Sequence, residues 1–289
     1  MTQDIFLHQL QKTPTGFSFN GDISQSKTPL QCNGNLKITG NVDSGVVLNV
    51  IGNIEILGSV YESEITASDT VTVHQSFLGA GKGKITARNV VINSINGQIV
   101  EAKDTITIAV EALSAELIAG NKIQSPSARI VGGTAKAGAE IIALTIGDSE
   151  AQLTKIYLGN RKKILQLLNA LNKEEEQLKA NLPKITDGIY KLSRLKIDQG
   201  TLHADQQLTL NKLRAMKEQI PHRLDQIKAE IPALQQQLKE KHEAKLIVYE
   251  SIFENVMIDF NGIKEVLSET VHATQFHLGV DGLVRGAIK

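Results

Sequence analysis

A five-residue phrase returns after eighteen residues: Gly34-Asn35-Leu36-Lys37-Ile38 comes back as Gly52-Asn53-Ile54-Glu55-Ile56, and Gly40-Asn41-Val42 comes back as Gly58-Ser59-Val60. Such recurrence constrains a chain more than any single motif, because each copy buries its apolar side only by stacking on the next. The phrase then loosens into short alternating runs: Thr70-Val71-Thr72-Val73, Asn89-Val90-Val91-Ile92, Thr105-Ile106-Thr107-Ile108, Lys122-Ile123-Gln124 and Glu140-Ile141-Ile142. Taking Ile54, Val71, Val90, Ile106, Ile123 and Ile141 as equivalent gives steps of 17, 19, 16, 17 and 18 residues.

Before these runs stand Ala67-Ser68-Asp69, Ala87-Arg88-Asn89, Ala102-Lys103-Asp104, Ala119-Gly120-Asn121 and Ala137-Gly138-Ala139. Alanine fits a narrow interior at a corner, and Gly, Asn or Asp tolerates the bend that follows. A seventeen-residue repeat holds two or three short strands with their corners. It is too short for strands joined by a helical crossover. A β-sandwich would supply short strands without repeating the same phrases. Aromatic residues make up only 4% of the chain and Trp is absent, so the interior must be filled by Ile, Val and Ala. The fold expected is mainly β with α, a single-stranded, right-handed parallel β-helix.

From about Asn160 the period changes to seven. Ile164, Leu171, Leu178, Ile185 and Leu192 form one stripe, with Leu168, Leu182 and Ile189 beside it. After Asp198-Gln199-Gly200, a turn with Thr201 as the expected N-cap, the period resumes through Leu213, Ile220, Ile227 and Leu234, joined by Leu224, Ile231 and Leu238. Two long helices on either side of a short turn read as an antiparallel coiled-coil hairpin projecting roughly 55 Å. Reflection about the turn sets Leu192 near Leu210 and Leu178 near Leu224. Pro183, Pro221 and Pro232 fall inside the periodic stretches, where each removes an amide donor, and are expected to kink the arms. The acidic run Glu174-Glu175-Glu176 is expected to face solvent and bases of the opposite arm.

Strand-like alternation then returns in Lys245-Leu246-Ile247-Val248-Tyr249 and Asn255-Val256-Met257-Ile258-Asp259. The hairpin is therefore expected to be inserted near the C-terminal end of the β-helix. Four segments follow: an N-terminal cap over 1–30, with Phe6, Leu7, Phe17 and Phe19 as cap residues, the β-helix over 31–159, the hairpin over 160–243, and returning strands over 244–289.

Charge and composition exclude several function classes. Lys plus Arg equals Asp plus Glu at 31 each, so no global field recommends nucleic acid as a partner. No apolar run has the length of a membrane span, and residues 1–10 do not resemble a secretory signal. The single Cys32 precludes an intrachain disulfide framework. A cytoplasmic location is expected, with a polar or membrane-peripheral position as its finer form.

Catalytic patterns are missing. The seven histidines are scattered, and His272 and His277 have no cysteine beside them, so no metal site is expected. There is no Gly-x-Ser-x-Gly elbow. The stretch Gly79-Ala80-Gly81-Lys82-Gly83-Lys84 lacks the spacing of a phosphate loop and reads as a bent loop between rungs. A carbohydrate-cleaving β-helix is the enzymatic alternative, with acids drawn from Asp43, Glu62, Glu64, Asp69, Glu101, Asp104, Glu111 and Glu116, but aromatic platforms for sugar are few. No catalytic residue and no cofactor is expected.

Several phrases together resemble the β-helical domain of the flagellar assembly protein A family: Ala119-Gly120-Asn121-Lys122-Ile123, Arg129-Ile130-Val131-Gly132-Gly133, Ala137-Gly138, Ala143-Leu144-Thr145-Ile146-Gly147 and Thr154-Lys155-Ile156-Tyr157-Leu158-Gly159. The coiled coil and the returning strands follow in the family's order, and the resemblance covers most of residues 30–275. Relatives commonly carry a sizeable domain ahead of the helix, where this sequence has about thirty residues, so a role tied to that domain does not transfer. The resemblance implies a scaffold-like protein of flagellar, cell-pole or envelope-associated assembly. It carries over no catalytic residue, and it carries over Gly132, Gly133, Gly138 and Gly147 as fold residues. A scaffold of this shape would meet protein partners at the hairpin tip, where Lys196, Asp198, His203 and Asp205 are the candidate contacts. A self-associating structural protein, a homo-oligomer joined through β-helix ends or hairpins, is the alternative.

Overall fold

The computed structural model describes residues 10–24, 29–239, 244–279 and 282–288. The proposed cap residues Phe6 and Leu7 lie outside that set. The chain divides into two compact units, one of residues 1–160 with 242–289 and one of residues 161–241.

The first unit is a β-solenoid. Its strands are short and rich in Ile, Val and Thr, and their burial alternates residue by residue, as in Thr105–Leu113 and Glu116–Ala119. Among the described residues one sheet has 13 strands and the other 10, and successive coils supply alternate strands to each. Leu36, Ile54, Val71, Val90, Ile106, Ile123 and Ile141 stand one above the next in parallel register. The six equivalent positions identified from spacing thus form one inward row, each nearly fully buried. A second row on the opposite sheet runs Leu48, Ile65, Ile85, Val100, Leu117, Ala135 and Ile156. Ala67, Ala87, Ala102, Ala119 and Ala137 close successive coils of that sheet at buried positions, in a row that continues through Leu158 and Phe260.

Several strands are longer than the alternation in the sequence indicates. Lys122–Val131 spans 10 residues because it bends round a corner, and its pairing with Glu140–Ile146 shifts register between Ser125 and Arg129. The bend turns Ile130 inward again after Pro126, which the ladder accommodates at such an irregularity. A third inward row results, made of Phe77, Ile95, Ala112, Ile130 and Ile146.

Both termini of the stack finish in antiparallel strands. Gln11–Thr13 pairs antiparallel with Gly16–Phe19, which lies parallel on Asn35–Ile38 and buries Phe19. At the other end Val271–Leu278 runs antiparallel to Lys245–Ile252 and is followed by Leu283–Ala287, while Ile263–Val266 runs antiparallel to Val256–Phe260. Phe260, which stacks on Leu158, and Phe276, which stacks on Leu246, are fully buried there.

The second unit is a pair of helices, α1 (Arg161–Gln199) and α2 (Ala204–Lys239). Ile164, Leu168, Leu171 and Ile185 of α1 and Leu210, Ile220 and Ile227 of α2 are buried. The arms run antiparallel: Arg223 grips Glu174 with two nitrogens at 2.8 Å, and nearer the turn Lys196 Nζ donates to Gln207 Oε1 at 3.4 Å. The expected match of the acidic run to a base on the other arm is met at Glu174. Its neighbour Glu175 instead pairs with Lys179 on its own helix at 2.6 Å.

Candidate interaction surface

The turn between the arms is built by end effects of both helices. Gly200 follows α1 with φ +77, the left-handed conformation that closes many helix C-termini. The cap of α2 falls at His203, not at Thr201: Gln206 Oε1 accepts the His203 amide at 3.1 Å, and Gln207 N donates to His203 O at 2.9 Å. A Gln three residues into a helix can reach back to the cap amide, which a Thr two residues further out cannot replace. Asp205 sits in the first turn of α2, where negative charge offsets the helix dipole.

Lys196, Asp198, His203 and Asp205 are all exposed around this turn. Between the first two stands Ile197, 80% exposed. An isoleucine that bare is a feature the charged-residue reading passed over. The signal was present: Pro183, Tyr190 and Ile197 are seven apart and off the inner stripe. Tyr190 is 60% exposed, and Arg194 Nη1 donates to its hydroxyl at 3.0 Å. Leu182, Pro183, Thr186, Asp187 and Tyr190 line a shallow depression of about 560 Å³ on α1.

Pro183, Pro221 and Pro232 each lie within an uninterrupted helix. Thr186 Oγ1 donates to the Leu182 carbonyl at 2.9 Å, a side-chain bond to the preceding turn of the kind that bends helices. Hydrogen bonding to Arg223 holds the Glu174 carboxyl below the ordinary glutamate range, and hydrogen bonding to Asp187 raises Lys191.

On the solenoid, the outward faces carry charge in opposed pairs from rung to rung. Lys37 pairs with Glu55 at 2.9 Å, Lys84 with Glu101 at 2.9 Å, Lys122 with Glu140 at 3.1 Å and Arg129 with Glu111 at 2.6 Å. Lys136 bonds Glu116 at 3.1 Å and lies over the Tyr157 ring. Glu101, Glu111 and Glu116, three of the acids considered for carbohydrate cleavage, are thereby each tied to a base. Glu62 accepts the Ala80 amide at 2.6 Å and Gln98 Oε1 accepts the Gly83 amide at 2.6 Å, both bracing the Gly79 to Gly83 loop. Among the described residues no three of His, Cys, Asp and Glu gather to hold a metal ion. His272 and His277 lie on one strand, and His272 Nδ1 meets Ser251 Oγ across the ladder at 2.8 Å.

The four glycines sit where neighbouring coils crowd. Gly132 and Gly133 are consecutive residues with φ +66, and a β-carbon on Gly133 would collide with the Ala115 backbone one rung below. One on Gly138 would meet the Gly120 carbonyl, and one on Gly147 would press Val256 at 2.9 Å.

No helix among the described residues is long and apolar enough to cross a membrane. No curated protein matches this chain, and no solved structure matches it. A family model described as the Flagellar Assembly Protein A beta solenoid domain matches residues 16–284. Spanning nearly the whole sequence, the match includes both the stacked coils and the two helices between them, and this chain belongs to the flagellar assembly protein A β-solenoid family.

Proposed function

We propose that this protein is a non-enzymatic scaffold that docks protein partners through the turn region of its helical hairpin, in flagellar, cell-pole or envelope-associated assembly within the cytoplasm. The observation that carries the reading is Ile197, left 80% exposed between Lys196 and Asp198 at the end of α1. A bare apolar anchor ringed by polar groups is the composition of an interface centre and rim. On the solenoid, in contrast, five outward bases are matched to glutamates within the molecule. The family description supplies the assembly context. In its finer form the fold is a right-handed, single-stranded parallel β-helix with an antiparallel coiled coil kinked at Pro183, Pro221 and Pro232. Supporting that form are the one-chain parallel register and the seven-residue spacing of buried positions such as Ile164, Leu171 and Ile185.

The test is affinity capture with the full chain and a variant in which Lys196, Asp198, His203 and Asp205 are all replaced by Ala. A stoichiometric protein captured by the first and lost from the second supports docking at the turn. Equal capture by both, with both folded, removes it.

Self-association is a second reading, favoured by the outer edge of the ten-stranded sheet. Ile263 and Val266 on the terminal strand Ile263–Val266 are exposed, and such an edge is open to pairing. Sedimentation showing mass that rises with concentration, and falls back when Val266 is replaced by Lys, would support it.

A further inference from the structure

The outer face of α1 has two properties that together define what it fits. The first is an apolar line. Pro183, Tyr190 and Ile197 recur every seven residues on the exposed side of the helix, and the depression beside Pro183 and Tyr190 is lined mainly by carbon. Seven-residue recurrence is what a second helix needs to lie along the first. The inner seam of α1 is already occupied by α2, through Ile185 and Leu210 among others, so this line is additional.

The second property is charge. Between Pro183 and Gln199, where α1 ends, the sequence holds four Lys and Arg against two Asp, a surplus of +2 in a chain whose total is zero. Lys191 is neutralised by Asp187 at 2.8 Å. Lys184, Arg194 and Lys196 are exposed and have no ion pair among the described residues.

We propose that this face binds an acidic amphipathic helix of another protein, its apolar side along Pro183, Tyr190 and Ile197 and its carboxylates toward Lys184, Arg194 and Lys196. This rests on the docking role proposed above and names the partner's chemistry. A second copy of this hairpin is a poor occupant, because two like-charged faces repel one another on contact. The apolar line confers affinity through burial, whereas the surplus charge speeds encounter and rejects basic helices.

The probe is a dye-labelled helical peptide about three heptads long, with Leu at the two seam positions of each heptad and Glu at the flanking ones, titrated with the full chain by fluorescence anisotropy. A peptide with Lys for each Glu is the control, and phosphatidylserine-phosphatidylcholine vesicles are a third arm. The Glu peptide is expected to bind at least about tenfold more tightly than the Lys peptide. The variant Tyr190→Asp with Ile197→Asp should lose at least about tenfold in affinity for it. The variant Lys184→Glu with Arg194→Glu should narrow or reverse the preference between the peptides. Equal binding of the two peptides, no binding of the Glu peptide, or binding of vesicles in its place would overturn the proposal. So would dimerisation of the full chain that Ile197→Asp abolishes. Loss of the peptide preference, with partner capture still dependent on the turn residues, would overturn the acidic-helix inference alone. Capture that ignores those residues would overturn the docking role.

Discussion

Ile141 and Leu246 stack as parallel neighbours in one inward row, though 246 − 141, or 105, residues separate them in the chain. Every earlier step in that row is 16 to 19 residues, so the helices α1 and α2 occupy the excess without breaking the ladder. Both side chains are fully buried, and truncating either to Ala should cost about 2–5 kcal/mol. Because they share one cavity, the double variant should differ from the sum by at least about 0.5 kcal/mol. Urea melts of the four proteins measure this, and strict additivity would contradict direct stacking.

Gly133 and Gly200 both have positive φ, +66 and +77, but differ in what surrounds them. A β-carbon at 200 meets open space; at 133 it meets the Ala115 backbone. Gly200→Ala should cost about 1 kcal/mol, from backbone strain alone. Gly133→Ala should cost about 2 kcal/mol or more, because strands of adjacent coils must also separate. Equal losses in chemical denaturation would show that the coils can relax apart.

Glu55 is held below the ordinary glutamate range, first by its hydrogen bond to Lys37 and further by His74, against the opposing effect of desolvation. Its folded-state value is depressed, so its contribution is present above the unfolded value of about 4.3 and is lost as pH falls through the lower folded one. Both partners are well exposed, 47% and 41%, which keeps the effect small. Glu55→Gln should lower the melting temperature by about a degree or two at neutral pH and by nothing below that window. A difference that persists at pH 2 would assign the loss to packing.

Burial raises the Cys32 thiol. At neutral pH it should react with a disulfide reagent more slowly than glutathione does, and unfolding in urea should remove the difference. Fast reaction in the folded protein would place the sulfur in the open.

The solenoid was readable in the sequence because its constraint is strictly periodic. Ile106 and Ile123 face the same neighbours at the same depth, so the same residue type returns. The corner rows were less readable. Ser125, Pro126, Ser127 and Ala128 stand where the chain bends, and a bend replaces the two-residue alternation that marks a strand. The helical pair was legible from its inner stripe, but the cap at His203 was not, since Gln206 acts through its side chain and Thr201 had the commoner capping chemistry. Ile197 was missed for a different reason. Charged groups near a turn attract a functional reading, and the seven-residue spacing of Pro183, Tyr190 and Ile197 was overshadowed by the longer inner stripe.

The most direct test of the account is excision of residues 160–243 with a short linker closing the gap, followed by a thermal melt. The parallel register of Ile141 with Leu246, and of Thr154–Leu158 with Val256–Phe260, should keep the solenoid folded, with a β-type circular dichroism spectrum and a single cooperative transition. A chain without a cooperative transition would contradict the view that the helices are an insertion into a finished β-core.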